Sequence, residues 1–221
     1  MVNKVKCVIF DFDNTLVKSN IDFPAMKIEM TRFTKNYGLE FGSEEEIPHK
    51  YTAGNIIDRA ESFDKRNGTV LVPQLWSVVE EFERKGMENI TIADDIFDML
   101  KALKNDNIDA TLFTNNASNP TVEVLKRFNL FDYFSLIIAR EDVSKMKPDK
   151  EGIDLILNKK NLQPTEALFV GDSWVDAKAA NEAGVPFVLI RDCILDEKKY
   201  GIDIWKHVRS MTEFITLLKE S

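Results

Sequence analysis

Cysteine is nearly missing from this chain: in 221 residues there are two, Cys7 and Cys193. So few thiols argue against a disulfide-stapled scaffold, and both, Cys7 inside the first strand and Cys193 after a late one, read as buried thiols of a reducing compartment. Neither cysteine lies in a glycine-rich turn or near His49 or His207 in sequence, so a cysteine nucleophile is not expected. Long apolar runs are missing too. No segment approaches the roughly 20 residues of a membrane span, so no membrane partner is expected. Lys4 and Lys6 interrupt the first apolar stretch, unlike the apolar region of a signal peptide, and a cytoplasmic location is the default expectation. Basic residues are in deficit, 29 against 37 acidic ones, for a formal charge of −8. That balance argues against a general nucleic-acid surface. What remains, 44% hydrophobic and 30% charged residues, is the composition of an ordinary globular protein. The chain is long enough for one large domain or a domain with a substantial insertion.

The stretch Val8-Ile9-Phe10-Asp11-Phe12-Asp13-Asn14-Thr15-Leu16 orders the rest. Val5 to Phe10 is an apolar, partly β-branched run of the kind found in a fully buried parallel strand. It ends in two carboxylates one residue apart. Ligands of open α/β sheets gather beyond the carboxyl ends of the strands, which makes Asp11 and Asp13 site candidates. Two acids so close repel unless a positive charge lies beside them, and a hard cation with oxygen ligands, Mg2+ above all, would supply it. The alternative is that they only shape the turn after the strand.

From Leu16 to about Asn89 the pattern is helical. A helix opens near Asp22 and Pro24, a second spans about Asn55 to Asn67, and a third begins near Pro73. Beyond Ile92, strands and helices alternate. Asp94 and Asp95 open a helix, Ala110 to Phe113 is a strand ending in Thr114-Asn115-Asn116, and Leu136 to Ala139 is another. Pro148 is expected in the first turn of the next helix. Ala167 to Val170 is a strand that stops at Gly171-Asp172-Ser173, where the glycine is expected to permit a sharp turn. Pro186 to Ile190 is the last strand expected, and a helix carries Phe214 to Leu218. This alternation predicts an α/β fold, a mainly parallel sheet covered on both faces.

Several strand ends carry what phosphoryl chemistry needs. Asp11 can attack phosphorus and form an aspartyl-phosphate. Asp13, on the same side, can protonate the leaving oxygen and later take a proton from water. Thr114 and the backbone N–H of Asn115 can bind phosphate oxygens, and Lys147 can neutralise the charge that phosphate and carboxylates share. Asp172 and, one helical turn on, Asp176 can complete a Mg2+ shell directly or through water. Each has a plain structural alternative: a helix cap, a surface lysine, a turn. Their recurrence at successive strand ends favours the chemistry.

Together, Asp11-Phe12-Asp13-Asn14-Thr15-Leu16, the strand into Thr114-Asn115, Lys147-Pro148-Asp149 and Gly171-Asp172-Ser173-Trp174-Val175-Asp176 resemble the haloacid dehalogenase-like hydrolase superfamily, in its motif order. The resemblance implies a Rossmann-like core, residues 1–16 and 92–221, with the first strand central, and an inserted helical cap, residues 17–91. It implies Mg2+ held by Asp11, the backbone carbonyl of Asp13, and Asp172. Trp174 departs from the small or polar residue often found there, read as a packing choice. Members that cleave carbon–halogen bonds lack the second aspartate, so Asp13 favours phosphoryl transfer. The expected activity is a Mg2+-dependent phosphatase of small phosphorylated metabolites acting through an aspartyl-phosphate, with a phosphoglycolate-like ester as first guess. A phosphomutase using the same groups and a non-catalytic binding or regulatory module are the alternatives. No motif specifies an oligomeric state.

Between Val17 and Glu88 there are ten Lys/Arg against thirteen Asp/Glu, so no basic surface announces a polyanionic substrate. The break Tyr51-Thr52-Ala53-Gly54, with Arg59 just beyond it, resembles the cap loop that reaches the leaving group in helical-cap relatives. Gly54 and Arg59 are therefore candidate specificity residues. The alternative is an interhelical turn with Arg59 in a surface ion pair. Phe12 and Trp174 either line the entrance or belong to the core.

Overall fold

The structure, a computed structural model, describes residues 4–93 and 95–219. The helix opening expected at Asp94 thus falls, for that residue, outside the described residues. In chain order, β1 (Cys7–Phe10) and β2 (Val17–Lys18) precede four helices, α1 (Phe23–Lys35), α2 (Ile47–Lys50), α3 (Ala53–Asn67) and α4 (Leu71–Met87). Then come β3 (Thr91–Ile92), α5 (Ile96–Asn105), β4 (Asp109–Phe113), α6 (Ser118–Arg127), β5 (Phe134–Ile138) and α7 (Glu151–Lys160). The chain ends with β6 (Ala167–Gly171), α8 (Trp174–Ala183), β7 (Phe187–Ile190), α9 (Glu197–Tyr200), β8 (Lys206–Val208) and α10 (Met211–Lys219). Two compact units result, one from Met1–Lys18 with Thr91–Ser221, the other Ser19–Ile90.

In the first unit six strands form one sheet in the order β5-β4-β1-β6-β7-β8, and every pairing is parallel. With helices on both faces this is the expected Rossmann-like α/β layer structure. Its alternation is plain in β1: Cys7 and Ile9 join Ile153, Ile156, Phe169 and Ala180 in the core beneath α7 and α8. Phe10 faces the other way and meets Phe214 of α10 edge-on at 6.1 Å and Phe134 of β5 at 6.4 Å. Asp95 opens α5 as expected, its carbonyl accepting the Met99 N–H at 3.1 Å, while its carboxylate accepts hydrogen bonds from the backbone N–H (2.7 Å) and hydroxyl (2.9 Å) of Thr212 and so caps α10. Cys7 is buried as expected, whereas Cys193, expected to be buried too, lies exposed in the loop after β7. A second, two-stranded antiparallel sheet pairs β2 with β3. Pro148, expected inside a first helical turn, lies in the loop before α7 and follows a cis peptide bond.

Register places the site. Phe10 lies level with Leu112 of β4 on one side and Val170 of β6 on the other. The residues that follow each strand, Asp11, Thr114 and Asp172, therefore emerge along one edge of the sheet, at the carboxyl ends of three adjacent strands.

The second unit is helical, with a core that includes Met26, Met30, Phe41, Ile47, Ile56, Leu75 and Val79. α3 begins in a reciprocal cap, in which Thr52 Oγ1 accepts from the Asn55 N–H and Asn55 Oδ1 from the Thr52 N–H, both at 3.1 Å. It ends at Gly68 in the left-handed conformation, φ 66°, which glycine adopts without steric cost. Asp64, near the end of α3, accepts from the backbone N–H groups of Leu71 (2.8 Å) and Val72 (3.1 Å) and so caps α4 from a distance.

Candidate active site

β1 delivers Asp11 directly. Its N–H still donates to Val170 O at 2.9 Å, so the residue continues the sheet's hydrogen bonding while its side chain stands at the edge. The chain then reverses through Asn14, at φ 56°, a left-handed conformation that asparagine tolerates. Thr15 is thereby folded back, with its hydroxyl 3.4 Å from Asp11 Oδ2. Asp13, 8% exposed, turns its carboxylate to Asn116, whose amide nitrogen donates to Oδ2 at 2.5 Å.

β4 delivers Thr114, 1% exposed. Thr114 Oγ1 accepts the Asn116 N–H at 3.1 Å, so its own hydrogen remains to be donated toward an oxygen beyond the strand end. Asn115 clamps the backbone of Lys147: its Nδ2 donates to Lys147 O at 3.0 Å and its Oδ1 accepts from Lys147 N at 2.9 Å.

That clamp sets Lys147 in the middle of the acids. The ammonium is 3% exposed and donates to Asp11 Oδ1 (2.6 Å), Asp176 Oδ1 (2.7 Å) and Phe113 O (3.1 Å), one acceptor for each of its three hydrogens. Asp176, in the first turn of α8, accepts from both the hydroxyl and the N–H of Ser173 through Oδ2, which locks its rotamer. Gly171 is what lets it sit there. A Cβ at that position would lie 2.7 Å from the Asp176 Cβ, so the requirement is close approach and not the sharp turn expected from sequence. Asp172 follows, and its carbonyl accepts from Arg191 Nη1 at 3.1 Å.

Charge is unbalanced in this site. Burial holds Asp11 well above the usual carboxylate range and Asp176 adds to it, with Lys147 opposing. Asp172 is pushed up to about 7 by burial and by Asp176, against Arg191 and Lys147. Burial works against the Lys147 charge, but Asp11 and Asp176 outweigh it and hold the ammonium above the usual lysine range. Carboxylate oxygens of Asp11, Asp172 and Asp176 all lie within 4.8 Å of one another. An all-oxygen donor set with more negative charge than one lysine can balance fits a hard divalent cation.

The structure thus brings together Asp11, Asp13, Thr114, Asn115, Lys147, Asp172 and Asp176. Gly54 and Arg59 belong to α3 of the helical unit. There Arg59 lies 4.2 Å over the Phe41 ring and donates to Tyr51 Oη and Glu40 O, both at 3.1 Å, in place of the surface ion pair considered from sequence. Phe12 is fully buried and belongs to the core, and Trp174 stacks on Tyr200 at 5.3 Å with the rings 6° from parallel. Sequence reasoning gave no separate role to Asn116, Ser173 or Arg191. The signal available for the first two was adjacency to Thr114 and Asp172; Arg191 lies 19 residues from its partner and carried none.

A parallel sheet with acids at adjacent strand ends and a buried lysine bonded to two of them is the arrangement of an α/β enzyme site built for charged oxygen groups. Comparison with known proteins agrees. The family model described as haloacid dehalogenase-like hydrolase matches residues 8–190. Among curated relatives, the pyrophosphatase PpaX of Oceanobacillus iheyensis is 25% identical over 181 residues, 82% of this chain and 81% of that protein. The phosphoglycolate phosphatase of Vibrio vulnificus is 27% identical over 190 residues, again 82% and 81%. The crystal structure of a HAD-superfamily hydrolase of subfamily IA from Geobacter sulfurreducens superposes with a TM-score of 0.62 at 25% identity, covering 97% of each chain. The chain belongs to the haloacid dehalogenase-like hydrolase family. Among the described residues no helix is long and apolar enough to cross a membrane.

Proposed function

We propose that this hydrolase is a Mg2+-dependent phosphatase of small phosphomonoesters that works through an aspartyl-phosphate on Asp11. The observation that carries the reading is Lys147, buried between Asp11 and Asp176 with each of its hydrogens assigned. Such a lysine opposes the burial and the Asp176 charge that disfavour the ionised form of Asp11, and presents positive charge where a phosphoryl group would arrive. The relatives named as phosphoglycolate phosphatase and pyrophosphatase support the phosphoryl reading and its small substrates. The net charge of −8 supports the absence of a nucleic-acid partner.

In this reading Asp11, Asp172 and the backbone carbonyl of Asp13 would hold Mg2+, with Asp176, whose oxygens already accept from Lys147 and Ser173, contributing through water. When bound, the ion offsets the mutual repulsion of the carboxylates and the charge of the phosphoryl oxygens. The chain's own residues do the rest. Thr114 Oγ1 and the Asn115 N–H bind phosphoryl oxygens. A carboxylate oxygen of Asp11 attacks phosphorus, the bond from phosphorus to the leaving oxygen breaks, and Asp13 gives that oxygen its proton. Water then attacks the aspartyl-phosphate, its proton passes to Asp13, and inorganic phosphate leaves with Asp11 restored. Specificity is assigned to the helical unit, with Gly54 and Arg59 as its candidates.

The test is phosphate release from p-nitrophenyl phosphate and a panel of metabolite phosphomonoesters, in Mg2+ and in EDTA. Turnover that needs the metal and is lost in Asp11→Asn, with the circular dichroism spectrum unchanged, is the expected result. Full activity of Asp11→Asn would rule out the covalent route.

A further inference from the structure

The mechanism above makes no use of Asn116, yet this side chain is 4% exposed and its amide nitrogen lies 2.5 Å from Asp13 Oδ2. Its backbone is fixed on both sides: the N–H donates to Thr114 Oγ1 at 3.1 Å, and the carbonyl accepts from Arg140 N at 3.0 Å. The neighbouring asparagine cannot replace it, because both polar atoms of the Asn115 side chain are committed to the Lys147 backbone. The loop after β4 therefore presents two adjacent amides with separate partners, one the segment that carries the lysine, the other the second acid.

We infer that Asn116 is a positioning residue that holds the Asp13 carboxyl in the orientation from which it protonates the leaving oxygen. The inference rests on the phosphatase reading and deepens it. An aspartate side chain has two soft torsions, and general-acid catalysis requires the donor oxygen within hydrogen-bond reach of the leaving oxygen. Anchoring Oδ2 on a buried amide restrains rotation of the carboxyl group and hence the directions open to Oδ1. The energetic return is the orientation term of a bound acid over a freely rotating one. As the phosphorus–oxygen bond breaks, the proton passes from Asp13 to the departing oxygen. An alkoxide depends on that proton, whereas a dinitrophenolate departs without it. Asn116 therefore matters in proportion to the basicity of the leaving group, and this makes the site one suited to alkyl phosphates.

The experiment compares kcat/KM, which reports the first chemical step, for an alkyl phosphate, phenyl phosphate and dinitrophenyl phosphate in the wild-type protein, Asn116→Ala and Asn116→Leu. For Asn116→Ala the expected loss is about 100-fold with the alkyl ester and less than about threefold with the dinitrophenyl ester, with phenyl phosphate between. Asn116→Leu keeps the side-chain shape and loses the donor without adding a charge beside Asp13, so it carries the same comparison should the alanine variant fail to fold. An equal loss across the three esters would assign Asn116 to phosphate binding or to the fold, and no loss would leave it idle; either overturns the inference alone. A wild-type protein silent on all three esters would overturn the phosphatase reading together with it.

Discussion

Asp172 illustrates how a single side chain reports the state of the site. In the metal-free protein its carboxyl stays protonated to about pH 7, whereas an unfolded aspartate loses its proton near pH ~4. Between those values the native state binds more protons than the unfolded one, so stability falls as pH rises through the interval and is not regained above it. Asp11, also raised, acts in the same direction. Thermal midpoints of the protein in EDTA, followed from about pH 5 to about pH 8, are therefore expected to drop by several degrees. Asp172→Asn, which cannot ionise, should flatten that slope, and saturating Mg2+ should abolish it. A midpoint in EDTA that climbs with pH would show that the carboxylates are compensated by the protein itself.

At the scale of elements, the strand-to-helix turn at β6 and α8 depends on one missing methyl group. Gly171→Ala would put a Cβ against the Asp176 side chain, whose two oxygens are already committed to Lys147 and Ser173. We expect a loss of about 1–3 kcal/mol from the overpacking, and a fall in kcat larger than the change in KM, since Lys147 loses an anchor while the loop after β4, proposed to bind phosphate, is untouched. Unchanged kcat in a destabilised Gly171→Ala would confine Asp176 to a structural role. This turn also marks where sequence reasoning succeeds and where it stops. Asp11, Thr114 and Asp172 were legible because each follows an unbroken apolar run, and a buried parallel strand has that signature whatever its neighbours. The reason for Gly171 was not legible, because it lies in a contact made only after α8 folds back. β8 escaped for a similar reason: Lys206-His207-Val208 has no apolar run, and it is a strand because Val188, Leu189 and Ile190 pair with it. β2 and β3, two residues each, exist only by pairing with one another. Asn116 was in view beside Thr114, but its partner Asp13 lies 103 residues away, and only the sheet order brings the two together.

For the molecule as a whole, the sheet order bears on how firmly Asp11, the proposed nucleophile, is held at the end of β1. β1 is an interior strand, paired in parallel with β4 on one side and β6 on the other, so its backbone is restrained along both edges. Its last residue, Phe10, also carries the packing of the far end of the chain, because Phe214 of α10 is fully buried and meets its ring edge-on. α10 is in turn fastened through Thr212 to Asp95 at the start of α5. The residue just before Asp11 is thus held by an element about 200 residues later, so that global stability and the placement of the first acid are coupled. Phe214→Ala removes the ring and leaves a cavity against Phe10, at a cost of about 3–5 kcal/mol. In a chain of this length that is a midpoint lowered by roughly 10 °C. Activity at low temperature, where the variant remains folded, should fall by more than the unfolded fraction accounts for, because Phe10 can relax into the cavity and carry Asp11 away from Lys147. Activity that merely tracks the folded fraction would show that the hydrogen bonds of β1 to both neighbours suffice to hold Asp11, and that α10 contributes stability alone.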